Sequence, residues 1–249
     1  MESSLVNDKL RRVGPFLGHP LSLCLSDVAP LLVEGDDDER VWQQAARASL
    51  GKIKVFPIVA DGTQRLRGLE DEFIKLLKAL YDDSVAFSIR DGDGVIDKPL
   101  EPRPPLKRFF LQCYAIENLL VTEPCLLIME TDWDNFSGSA SKWIGGNPER
   151  KSIHLLKKLI ESEDRLRHNK IKDLHQIICE IAGCKKPWEV VVGKAIAQLQ
   201  NEDVDTSNML VDFLGKGLVN SVIFRDARQQ ESLSTPEGDA EQPLVSVNQ

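Results

Sequence analysis

Leu31-Leu32-Val33-Glu34-Gly35-Asp36-Asp37-Asp38-Glu39 (LLVEGDDDE) passes from an apolar run through a glycine to a block of acids, and its reading decides the fold. Residues 29–34 are short, apolar and bounded by glycine, while 36–50 have helix-forming composition with acids at the start, so the segment predicts strand, turn and helix. The pattern then repeats. Residues 53–59 are rich in strand formers, 66–80 carry Leu69, Phe73, Leu76, Leu77 and Leu80 at helical spacing, and 84–89 predict a third strand. Strands alternating with helices of this length imply parallel βαβ units with right-handed crossovers. A proline-bearing connection, 98–106, leads to a fourth expected strand at 109–114 and a short helix at 115–121.

Beyond Thr122 the alternation stops. Helices are predicted over 152–167, 171–182 and 187–199, the last with Pro187 in the first helical position. The expected organisation is an N-terminal extension (1–24), an α/β core (25–125), a helical subdomain (126–225) and a polar, proline-bearing tail (226–249) with the composition of a disordered segment. The fold class expected is therefore α/β, a Rossmann-like parallel sheet with a C-terminal helical subdomain.

The 249 residues, 42% of them hydrophobic, are enough for a sizeable core. No apolar stretch is long enough to span a bilayer, and residues 1–15 lack a basic segment followed by an apolar one, so neither membrane insertion nor secretion is expected. Five scattered cysteines without metal-binding spacing fit reduced thiols in a cytoplasm. The net charge of -8 argues against a general duplex binder. Locally the balance changes: acids gather before Asp97, and residues 142–172 are basic, with Arg150, Lys151, Lys157 and Lys158 as candidate nucleic-acid contacts. A basic face beside an acidic pocket suits a polyanion, although solvated helix faces carry the same charges.

Glu34 ends the first expected strand, and Gly35 turns the chain so that Asp38 falls in the first turn of the next helix. Asp91 and Asp93 end the third strand, one glycine apart. In a doubly wound sheet the first and third strands are often neighbours, and ligands bind off their carboxyl ends, which brings four carboxylates together. Such an array repels itself and calls for protons or cations; oxygen-only ligands favour Mg²⁺ or Mn²⁺. Taken singly, the acids of 36–39 also suit a helix N-terminus, and Asp91-Gly92-Asp93-Gly94 also suits a turn.

LLVEGDDDE and Ile89-Arg90-Asp91-Gly92-Asp93-Gly94 (IRDGDG) resemble the TOPRIM core of topoisomerases, primases and OLD-family nucleases. Tyr114-Ala115-Ile116-Glu117-Asn118 further resembles the YxxEN segment of a TOPRIM-like branch that accompanies ABC-type ATPases in bacterial anti-phage systems, the PARIS effector among them. The likeness covers about residues 29–121. It implies a Mg²⁺- or Mn²⁺-dependent endonuclease, cutting tRNA or DNA when released by a partner ABC-type ATPase, with a homodimer among the compatible assemblies. Glu34 then corresponds to the general base or a metal ligand, Asp38, Asp91 and Asp93 to metal ligands, and Glu117 to an additional or outer ligand. Lys98 and Arg103, just beyond the aspartates, are candidates to stabilise the transition state, although a solvated loop carries the same charges. Asp61, ending the second strand, is a further candidate, although only Gly62 stands where a glycine pair is expected.

Two other functions share these residues. Asp91-Gly92-Asp93-Gly94-Val95 is close to the nucleophile motif of haloacid-dehalogenase-type phosphatases, with Asp132 and Asp134 as the required second pair; that reading leaves Glu34 and Asp38 idle. The third is a non-catalytic TOPRIM-like subunit that regulates an ATPase.

Overall fold

The structure, a computed structural model, describes residues 28–79, 85–95 and 100–225. The expected N-terminal extension, the tail and Lys98 lie outside the described residues. Four strands, β1 (Ala29–Val33), β2 (Val55–Val59), β3 (Ala86–Arg90) and β4 (Leu106–Phe110), form one sheet in the order β2-β1-β3-β4. All three pairings are parallel, in registers such as Ala29 with Val55, Leu31 with Phe87 and Arg90 with Phe110. β1 and β3 are buried along their whole length, which is why they read as unbroken apolar runs. Pro57 lies in β2, an edge strand, where sheets tolerate proline.

Alternation along the strands sorts the two faces. Leu32, Ala86 and Leu106 point toward α2 (Thr63–Ala79) and meet Leu66, Phe73, Leu76 and Leu77. Leu31, Val33, Phe87 and Ile89 point the other way, toward Val41, Trp42 and Ala45 of α1 (Asp36–Ala48). The result is an α/β core with an all-parallel, Rossmann-like sheet between helical layers.

The helical half comprises α3 (Glu123–Ile128), α4 (Trp133–Gly146), α5 (Ile153–Glu161), α6 (His175–Ile181), α7 (Trp188–Gln198), α8 (Met209–Leu214) and the one-turn α9 (Lys216–Leu218). It shares its buried cluster with the α1 side of the sheet rather than forming a core of its own. α7 lies along α1 at close range: a Cβ added to Gly193 would stand 2.5 Å from Gln44 Cβ and 2.8 Å from the Val41 carbonyl oxygen. The glycine lets two helix backbones approach where any side chain would hold them apart.

Several boundaries differ from expectation. The fourth strand is Leu106–Phe110, earlier than the 109–114 read from its apolar end, because Lys107 and Arg108 disguise it; Arg108 turns inward to a buried carboxylate instead of to water. The segment 115–121 forms a 3₁₀ helix, Ile116–Val121. The helix expected over 152–167 stops at Glu161, and residues 162–167 form turns in which Arg165 and Leu166 both have φ of 53°. That expected over 171–182 divides into a 3₁₀ turn, Lys172–Leu174, and α6. Pro187 caps α7 from outside instead of opening it. α4 was not anticipated, since Ser137-Gly138-Ser139 and Gly145-Gly146 are poor helix formers; Asp132 caps it, Oδ1 accepting from the Asn135 amide at 2.8 Å.

Candidate functional site

Because the chain places β2 on one side of β1 and β3 on the other, a crevice opens between β1 and β3 at their carboxyl ends, the topological switch point of an open α/β sheet. Glu34 follows β1 there and Asp91 follows β3. Gly35 and the first turn of α1 set Asp38 beside them, its Oδ2 accepting from the Gly35 amide at 3.1 Å. From the far side, the 3₁₀ helix contributes Glu117, which is nearly fully buried.

The loop carrying Asp91 and Asp93 is held by backbone contacts. The Asp93 amide donates to the Tyr114 carbonyl at 2.9 Å, and the Val95 amide to that of Gly92 at 2.9 Å. A Cβ on Gly92 would lie 2.2 Å from the Cys113 carbonyl oxygen and 2.7 Å from that of Leu111, so this position admits only glycine. Asp93 itself is left-handed, at φ 49°, and its carboxylate-bearing residue is exposed.

The buried and half-buried acids act on one another. Asp91 is pushed up to about 9, first by burial and then by repulsion from Asp38, Glu34, Glu117 and Asp93. Burial likewise lifts Asp38 to about 7, opposed by the Gly35 amide and reinforced by Glu117 and Glu34. Glu34 is raised by burial, a shift resisted by the Thr63 hydroxyl, which donates to Oε2 at 3.0 Å, and by the Arg90 charge and the Asp91 amide. Those partners tie the end of β1 to α2 and β3. Cys113, fully buried near Asp91, is held well above the ordinary thiol range by burial and stays a thiol.

Arg90, at the end of β3, is paired with the buried Glu70 at 3.0 Å, whereas Lys172, arriving from the helical half, reaches into the crevice and places Nζ 2.7 Å from Asp37 Oδ2 and 3.2 Å from Glu117 Oε1. Asn118 secures that approach: fully buried, it donates from Nδ2 to the carbonyls of Leu166 and Asn169 at 3.0 and 2.9 Å, while the Ala115 amide donates to its Oδ1 at 3.2 Å. The Tyr114 amide donates to the Arg167 carbonyl at 2.7 Å. The 114–118 segment is thus a clamp on the helical half as well as the source of Glu117.

The carboxylate oxygens of Glu34, Asp38 and Asp91, which already hold protons tightly, are of the chemical kind that ligates a hard divalent cation, and the Lys172 ammonium stands in for part of that charge. Among the described residues, however, no three His, Cys, Asp or Glu side chains are arranged to hold an ion as they stand. The acids are close enough to repel and too dispersed to form a finished shell; their side chains have to turn inward to hold an ion.

Other expected residues lie elsewhere. Asp61, left-handed at φ 58°, pairs with Arg65 in solvent. Arg103 is committed to Asp71 and Glu70 rather than to the crevice. Arg150, Lys151, Lys157 and Lys158 are exposed on and just before α5, Arg150 lying over the Trp143 ring at 5.6 Å. The sequence reading missed Lys172, which nothing distinguished within a basic run, and Thr63. It also missed the buried Glu70, whose signal was a charge at core spacing between Leu66 and Phe73. No helix of the described residues is long and apolar enough to cross a membrane. Compared with models of known families, with curated proteins and with solved structures, the chain matches none.

Proposed function

We propose that this chain is a divalent-metal-dependent phosphodiesterase of the TOPRIM kind, a nuclease effector of anti-phage defence that acts on tRNA or DNA with an ABC-type ATPase as its partner. The observation that carries this reading is the convergence of Asp38, Glu34 and Glu117 on Asp91 at the β1–β3 switch point, with Asp93 at the rim. Mg²⁺ or Mn²⁺, held by Asp38, Asp91, Asp93 and Glu117 with Glu34, would supply Lewis acidity toward a phosphodiester and lower the pKa of bound water. Glu34 is the residue best suited to take a proton from an attacking water: it is only half-buried, unlike Asp38 and Glu117, and is oriented by the Thr63 hydroxyl. Asp38 and Asp91 would give up their protons as an ion enters and balance its charge. The exposed Arg150, Lys151, Lys157 and Lys158 are proposed to draw in the polyanion.

Purified chain, with the partner ATPase activated, is expected to cut a tRNA pool or plasmid DNA in Mg²⁺ or Mn²⁺, and Glu34→Ala and Asp91→Ala to abolish cutting. Cleavage that survives Asp91→Ala would sink the mechanism. The incomplete ligand shell favours one second reading, a regulatory subunit that binds metal without turnover; its mark is metal affinity lost in Glu34→Ala while wild type never cuts. The phosphatase alternative loses its second acidic pair, because Asp132 is the N-cap of α4 rather than the end of a strand.

A further inference from the structure

We infer that Lys172 is a tethered counter-cation of the acidic crevice, and that it competes with a divalent ion for Glu117. The inference rests on the metal-site reading above. Its basis is geometric. Lys172 Nζ bridges Asp37 and Glu117 at 2.7 and 3.2 Å, and Glu117 is one of the groups that acts on both Asp38 and Asp91. A carboxylate oxygen facing an ammonium at that range cannot give the same lone pairs to a metal, and two cations a few ångströms apart repel.

The placement of Lys172 is built into the fold. Ile171 and Leu174, on either side of it in sequence, are buried in the core, so its backbone is anchored, and Asn118 holds the preceding turn by two carbonyls. The side chain is nevertheless 51% exposed, on a flexible four-carbon stem. Asp37, at the outer edge, remains a partner when Glu117 is surrendered. Lys172 therefore has a second position to occupy, and entry of an ion exchanges one counter-charge for another.

The test is Mn²⁺ binding to the full chain, followed through the electron-paramagnetic signal of the free ion, with circular dichroism to verify folding. Lys172→Met, which keeps the stem and removes the charge, is expected to bind Mn²⁺ about tenfold more tightly than wild type, as removal of a like charge from the ion's surroundings requires. Lys172→Arg should stay near wild type, and Asp91→Asn should abolish binding in both backgrounds, which locates the ion. If wild type binds Mn²⁺ and Lys172→Met binds it equally or more weakly, Lys172 is not a competitor and the inference falls alone. If neither wild type nor Lys172→Met takes up Mn²⁺, the metal-site reading falls with it.

Discussion

Glu70 has no solvent exposure, yet it receives the Ser88 hydroxyl at 2.7 Å and three guanidinium groups, from Arg90 at 3.0 Å, Arg108 at 3.3 Å and Arg103 at 3.5 Å. One carboxylate thus pairs with guanidinium groups from β3, β4 and the loop between them, Asp71 sharing Arg103. Removing it strands the buried Arg90 and deprives the half-buried Arg108 of its carboxylate, a defect that costs about 3–5 kcal/mol. Glu70→Ala is accordingly expected to lower the thermal midpoint by about 6–20 °C, whereas exposed Glu72→Ala should hardly move it; calorimetry distinguishes the two. At this scale the acids of the crevice were legible, because Glu34 and Asp91 sit where apolar runs end. Lys172 was not, because its contact with Asp37 joins residues 135 positions apart and leaves no local pattern.

Among the elements, α7 packs closely on α1, and Gly193 sets their separation. Gly193→Ala inserts a methyl group where Val41 O, Ala45 N and Gln44 Cβ already stand within 3 Å, so the helices must separate. Overpacking of this kind costs about 1–3 kcal/mol. The expected outcome is a lower urea midpoint with an unchanged slope; stability equal to wild type would mean that the helices separate freely. The first three strands and their two helices were readable, since parallel strands buried on both faces show continuous apolar runs. β4 was misplaced because its inward Arg108 and outward Lys107 look like a polar connection, and α4 escaped because its Asp132 cap and packing outweigh a weak intrinsic propensity.

For the whole molecule, the crevice fixes the direction of pH dependence. Asp91, Asp38 and Glu34 all bind protons more tightly when folded than in the unfolded chain, where carboxylates ionise near pH 4. Their contribution is fully present below that pH and is lost as the pH rises through about 7 for Asp38 and about 9 for Asp91. The metal-free protein should therefore unfold at progressively lower temperature between pH 5 and pH 9, at a rate of about 1.4 kcal/mol per unit of pKa shift. Asp91→Asn should flatten that slope and stabilise the chain at pH 8. A thermal midpoint that rises with pH in the metal-free protein would contradict this account.

The close seat of α7 on α1 also has a consequence in time. A ribosome adds roughly 5–20 residues per second, so Lys172 follows Asp37 by about 7–30 s, and α7 emerges later still. Through that interval the growing chain presents the face of α1 around Gln44 and the Val41 carbonyl without α7, and an acidic crevice without its lysine. The first half is thus synthesised as an unfinished surface, and its completion waits on the last quarter of the polypeptide.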